Sequence, residues 1–222
     1  MKIGFFVTSL VLLCASSLFA QGYTAAISYG YLHAPEWNKA IQTYNFSRPF
    51  LDTPQPLLST GVQASLEFPL NPRGNSHLML DLAWYRSSAE NPNFAATLNQ
   101  YLLEVGYLRH LFSDQLPDQF SVKAGVAIVG GALLRSINGE PLVYDESNAN
   151  ALGIGGGVRL NVSYDLIDNG KVSVGPFLGA QYTPYYYAPK TEAILNQTTG
   201  LTGKEWTSIL GGRVGIVVAF GR

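Results

Sequence analysis

Cysteine is nearly absent from the 222 residues, and the single one, Cys14, lies within the first twenty positions. Beyond that segment neither a disulfide nor a thiolate metal site can form. Charge is scarce too: Asp, Glu, Lys and Arg make up 13% of the chain, against about 25% in a typical soluble domain. The formal net charge is −1 and no basic run occurs, which excludes the clustered cations that nucleic-acid phosphates demand. Histidines number only three, His33, His77 and His110. After residue 20 no stretch reaches the roughly 20 apolar residues of a spanning helix. The longest, 124–134 and 214–220, are short and rich in glycine and β-branched residues. Yet 47% of the residues are hydrophobic, too many for a disordered chain. Something other than Lys and Glu must cover this fold.

The first twenty residues explain part of the deficit. Lys2 supplies a positive n-region, 3–13 an apolar h-region, and Ser16-Ser17-Leu18-Phe19-Ala20 a cleavage region before Gln21. The expectation is a signal peptide over 1–20 and a single domain over 21–222. Cys14 follows Val11, Leu12 and Leu13, too bulky for a lipoprotein signal. Removing 1–20 takes away Lys2 alone among the charges, so 13 basic and 15 acidic residues remain, a net charge of −2.

What is present is alternation of period two, the mark of strands with two different faces. In 62–68, Val62, Ala64, Leu66 and Phe68 oppose Gln63, Ser65 and Glu67. In 77–85, Leu78, Leu80, Leu82 and Trp84 oppose Met79, Asp81 and Ala83. Similar stretches lie at 23–31, 101–107, 120–128, 152–162, 172–181 and 210–220, making eight strands. Short connections with turn chemistry stand at Asn71-Pro72-Arg73-Gly74-Asn75, 113–118 and Ile167-Asp168-Asn169-Gly170. The others are long: 33–59, 87–97, 135–149 and 184–206. Short turns alternating with long loops over an even number of strands is the pattern of a membrane-spanning barrel.

The alternation also assigns the faces. A closed eight-stranded interior barely holds its own side chains, so Trp84, Tyr107, Phe120 and Phe68 with their aliphatic neighbours would overfill it. The opposite face is mostly Gly, Ala and Ser, with no frequent Lys and Glu to meet water. The apolar face therefore points to lipid and the small-residue face inward. That inward face carries Glu67, Asp81 and Glu104 against Lys123, Arg159 and Arg213, read as a neutralised packing network, since buried charges survive when paired. Aromatic residues cluster at the strand ends: Tyr29, Tyr31, Trp84 and Tyr182 toward the long loops, Phe68, Tyr107, Phe120, Tyr164 and Phe220 toward the short turns.

The signal peptide, the eight alternating strands and a last strand Gly212-Arg213-Val214-Gly215-Ile216-Val217-Val218-Ala219-Phe220 together resemble the small outer-membrane β-barrel proteins of OmpA/OmpX type. The resemblance spans 21–222 and rests on pattern. It implies an all-β, eight-stranded antiparallel up-and-down transmembrane barrel in a Gram-negative cell envelope, with short periplasmic turns and long extracellular loops. Its implied partners are outer-membrane lipid and the barrel-assembly machinery, which reads an aromatic residue at the end of such chains; here Phe220 precedes Gly221 and Arg222. Members include anchors, adhesins, assembly factors and lipid-modifying enzymes, so the fold does not fix the function.

Chemistry is hard to find in the sequence. No His-x-Ser pair occupies one outward strand face, and His33 meets Ser47 or Ser59 only through loop geometry, so no catalytic residue is expected. Asp145-Glu146 and Asp165/Asp168 lack calcium-ligand spacing, and Gly153-x-Gly-Gly-Gly157 has no following Lys or helix for a phosphate. No cofactor or metal is expected. Function then falls to the loops. In the first, Pro35 followed by Trp37, Ala40, Ile41 and Tyr44 spells a short amphipathic helix that caps the barrel mouth or binds a partner. In the last, Tyr185, Tyr186, Tyr187 and Trp206 join Trp37 and Tyr44 as a possible recognition surface. The expectation is a non-enzymatic outer-membrane barrel that anchors, or displays loops for binding, adhesion or assembly. The alternatives are a lipid A deacylase or acyltransferase, or a narrow pore.

Overall fold

The computed structural model describes residues 22–46, 54, 57, 59–71, 73–91, 94–112, 115–137, 140–141, 151–187 and 206–221. The expected signal peptide, 1–20, lies outside them. Eight long strands follow one another: β1 (Tyr23–His33), β2 (Thr60–Pro69), β3 (Ser76–Asn91), β4 (Phe94–Leu111), β5 (Phe120–Ile137), β6 (Ala151–Tyr164), β7 (Val172–Tyr187) and β8 (Trp206–Phe220). One helix, α1 (Pro35–Phe46), follows β1. Each strand pairs antiparallel with the next, and β8 returns to β1 from Tyr23↔Phe220 to His33↔Leu210. The sheet is thus closed, and closure leaves none of these eight strands with an unpaired side.

The strands form where β-branched and aromatic residues alternate with small ones, which suits a pleated surface with unlike faces. Burial follows the same period: in β4, Leu102, Glu104, Gly106 and Leu108 are buried while Tyr101, Leu103, Val105 and Tyr107 are exposed. The short turns obey local chemistry. Gly74 and Gly170 both adopt positive φ, 64° and 76°, where a side chain would be strained. Asn71 accepts from Asn75 N–H at 3.0 Å through its side chain, and Asn169 accepts from Val172 N–H at 2.8 Å, the local bonds that make Asn a turn residue.

The expected long loop over 87–97 is corrected. The β3–β4 ladder continues to Asn91↔Phe94, so this connection is a tight hairpin on extended strands. Past the lipid-facing zone the outward residues need not be apolar, and Arg86, Ser88 and Thr97 carry the strands onward without the hydrophobic half of the alternation. Similarly β5 reaches Ile137, β7 reaches Tyr187 and β8 begins at Trp206. One irregularity marks the wall. The β6–β7 ladder omits Gly156 and Gly157, facing Thr183 and Pro184, and proline has no N–H to give a ladder.

Candidate functional site

The outward face is an apolar belt. Ile27, Ile128, Leu178, Val214 and Ile216 are each more than half exposed, an arrangement that water penalises and lipid does not. Among the described residues, outward-facing charges appear only toward strand ends, at Arg86 and Glu90 on β3 and Arg109 on β4. Rings edge the belt on both sides. Tyr23 stacks on Phe220 at 4.7 Å and Phe120 packs on Tyr164 at 5.7 Å toward the short turns, and Tyr186 meets Trp206 at 5.1 Å toward the loops.

Inside, the lumen is filled in layers. In the middle layer, β2, β3 and β4 supply Glu67, Asp81 and Glu104, and β5, β6 and β8 supply Lys123, Arg159 and Arg213 from the facing wall. Lys123 Nζ donates to Glu67 Oε2 at 2.6 Å. Arg159 donates one nitrogen to Asp81 Oδ2 at 2.6 Å and the other to Glu104 Oε2. Arg213 Nη1 donates to the same Asp81 oxygen at 2.7 Å and to Ser65 Oγ at 2.9 Å, while its Nη2 donates to Asn161 Oδ1 at 2.9 Å. Its guanidinium also lies 5.3 Å from the centre of the Phe177 ring, a cation–π distance. All six charges are buried. Three anions facing three cations keep the layer neutral, and removing one partner from such a buried pair costs about 3–5 kcal/mol. The space left beside the network, between Ser65, Glu67, Lys123, Asn161 and Arg213, is a cavity of about 30 Å³, room for about two water molecules.

Glycines on the inward face make this filling possible. A Cβ at Gly179 would stand 2.7 Å from Arg213 Cγ, and one at Gly61 2.6 Å from the Tyr85 ring. Tyr85 lies buried above the ionic layer, where its hydroxyl accepts from Gln63 Nε2 at 2.6 Å.

The loop-end layer is apolar. Leu32, Ala34, Trp37 and Ile41 from β1 and α1 pack against Ala83, Leu98, Leu102, Val129, Leu133, Tyr185 and Ile209 from the walls. Pro35 and Glu36 open α1 with a preset φ and an acid in the first turn. Trp37 and Ile41, four apart, then face the lumen while Lys39 and Gln42 face out. The Trp37 ring meets Tyr185 edge-on at 5.6 Å. The helix caps the barrel from within.

These positions revise the expected recognition surface. Trp37 and Tyr185 are buried in that cap, because an indole and a phenol at lumen-facing positions fill space that the small wall residues leave open. Tyr186 and Trp206 are strand residues on the outer face. Tyr187 ends β7 and Tyr44 belongs to α1; their side chains, like that of Ala40, lie outside the described residues. Sequence reasoning passed over Ser65, Asn161 and Tyr85. The first two share strand and parity with Glu67 and Arg159, which is the signal that would have found them. His77 and His110 face the lumen at the short-turn end, beside Ser121. Of the residues weighed with His33, Ser47 lies outside the described residues.

An apolar belt edged by aromatic rings around a filled, neutral lumen defines a transmembrane β-barrel of the eight-stranded type. Several solved structures are similar to this chain. Neisserial surface protein A aligns with 91% of this chain and 97% of its own, at 12% identity and a TM-score of 0.50. A major outer membrane protein from Thermus thermophilus covers 89% of this chain and 99% of its own, at 15% identity and 0.47. OprG from Pseudomonas aeruginosa covers 90% and 96%, at 9% identity and 0.45. No protein-family model and no curated protein sequence matches the chain.

Proposed function

We propose that this chain is an integral outer-membrane β-barrel, exported by a cleavable signal peptide over 1–20, that acts without enzymatic activity as an anchor presenting its loop end for binding, adhesion or assembly. The observation that carries the reading is the combination of an apolar belt with a lumen closed at two levels. Lipid takes up the outer wall, the ionic layer and the α1 cap occupy the interior, and the loop end remains for contact with other molecules. On this reading the short turns face the periplasm, the barrel-assembly machinery inserts the chain, and outer-membrane lipid surrounds it. Neither cofactor nor metal is needed for an anchor.

The test is fractionation with a folding readout. The protein should sediment with outer membranes and migrate differently on a detergent gel before and after boiling, as closed barrels resist unfolding. Recovery in the soluble fraction without a heat shift would overturn the membrane assignment. Lipid A mass spectra that change on expression would replace the anchor with an enzyme.

A further inference from the structure

A missing side chain and two outward rings open a groove in the lipid-facing wall. On β6, Gly156 faces outward between Ile154 and Val158, with Ile128 beside it on β5. These three neighbours are each more than half exposed, so the glycine is a notch in a belt of bulky apolar residues. The fold does not require it there. Its φ is not positive, and apart from its chain neighbours an added Cβ would meet nothing closer than the Ala127 carbonyl oxygen at 3.8 Å.

Tyr186 on β7 and Trp206 on β8 raise one side of the notch. Ile154 pairs with Tyr186 and Tyr186 with Trp206, so the three side chains stand in a row, the rings 5.1 Å apart and tilted by 56°. Ile154, Gly155, Gly156, Tyr186 and Trp206 line an open space of about 350 Å³, with no charged side chain among them.

The groove runs into the apolar belt and lies at its loop-end aromatic edge, the height at which lipid chains begin below their headgroups. An empty gap there forfeits dispersion contacts on both of its sides. Lipid tails are as apolar as the belt, so no hydrophobic gain draws another protein surface in. A specific contact with a second copy would bury about 1,000 Å² or more and would have to cover the convex wall around the notch. A single hydrocarbon chain needs only the groove.

We propose that this groove binds one acyl chain of an outer-leaflet lipid, held between the Tyr186 and Trp206 rings and the Gly156 floor, so that this lipid stays while its neighbours exchange. The inference rests on the outer-membrane reading with the loop end outward. With no charge in the lining, selection is by chain and not by headgroup.

The experiment is native mass spectrometry of the folded barrel in detergent, supplied with dipalmitoyl phosphatidylglycerol or dipalmitoyl phosphatidylcholine. A single lipid should remain as detergent is stripped, equally for the two headgroups, and none should remain with dihexanoyl phosphatidylcholine. Gly156→Leu fills the notch and should lose the lipid; Trp206→Ala removes a wall and should lose it too. Gly212→Leu, on the outward face of β8 where an added Cβ meets nothing within 4 Å, should keep it. The boiled-versus-unboiled gel shift verifies folding of each variant, and Gly156→Val replaces Gly156→Leu if that variant lacks the shift. The proposal is overturned by lipid retention unchanged in Gly156→Leu and Trp206→Ala, by equal loss in Gly212→Leu, or by retention that follows the headgroup. A lipid-free dimer that Gly156→Leu dissociates would assign the groove to a second copy instead. Unaltered protein without a heat shift defeats the outer-membrane reading itself, whereas a heat-shifting barrel that retains no lipid defeats the groove alone.

Discussion

Arg213, on the last strand, reaches across the lumen to Asp81, on the third, and their charged groups meet at 2.7 Å. The same Asp81 oxygen receives Arg159 at 2.6 Å, so one carboxylate holds two guanidinium groups from the opposite wall. Asp81→Ala leaves both short of a partner in a buried layer. The expected loss is about 3–5 kcal/mol, read as a lower urea midpoint for the barrel folded in lipid vesicles. Asp81→Asn keeps the shape and removes the charge, and its midpoint should fall between the two.

The Glu67–Lys123 pair lends itself to a charge swap. Glu67→Lys places two cations together, and Lys123→Glu two anions, so each alone should destabilise the barrel. The double variant restores an opposite-sign pair. It should recover about 0.5–3 kcal/mol relative to the sum of the two single losses, the usual coupling for residues in contact. Urea midpoints of the four proteins give that coupling directly.

Trp37→Ala empties the cap. Truncating a buried aromatic typically costs about 3–5 kcal/mol, which should appear as a lower temperature for the heat-dependent gel shift. Conductance should not follow, because the ionic layer beneath still blocks the lumen. Planar bilayers carrying either the unaltered protein or the Trp37→Ala variant are expected to stay electrically silent.

The belt makes a depth-dependent prediction. Leu178, 61% exposed on the outer face of β7 and paired with Val214 and Val162, is expected near the lipid midplane. Leu178→Arg should cost about 2–4 kcal/mol there, and Ser88→Arg, on the outward face of the extended β3 beyond the belt, about 0–1 kcal/mol. Equal costs in vesicle unfolding would mean that the belt is misplaced.

Much of this architecture was legible in the sequence, because a lipid-facing barrel writes its two surfaces in strict alternation. Val62, Ala64, Leu66 and Phe68 declared β2, and the parity that set Glu67 opposite them also set Asp81, Glu104, Lys123, Arg159 and Arg213 on the inward face. Less legible was everything beyond the belt. At Arg86, Ser88 and Thr97 the outward face turns polar, so the apolar-outward alternation fades while the ladder to Asn91↔Phe94 continues. The site was readable as composition but not as geometry. Which acid meets which base depends on the stagger of strands around the closed wall, and no local pattern encodes it. Trp37 and Tyr185 look like ligand-binding aromatics in a linear sequence and become packing only when Gly153 and Gly131, whose added Cβ atoms would collide with Tyr185, are seen beside them. His77 and His110 lie thirty-three positions apart by number, and only the β3–β4 register brings their rings together.

The ionic layer also divides the polypeptide in order of synthesis. The three acids of the layer, Glu67, Asp81 and Glu104, precede the turn after β4, and its three bases, Lys123, Arg159 and Arg213, follow it. The first-made segment thus carries three unmatched negative charges, and the last-made segment carries their three counterions. A chain severed between Leu111 and Phe120 would leave two pieces of opposite lumen polarity, each a poor fit for a copy of itself and a good fit for the other. Self-pairing of like pieces is disfavoured by the same charges that seal the finished cylinder.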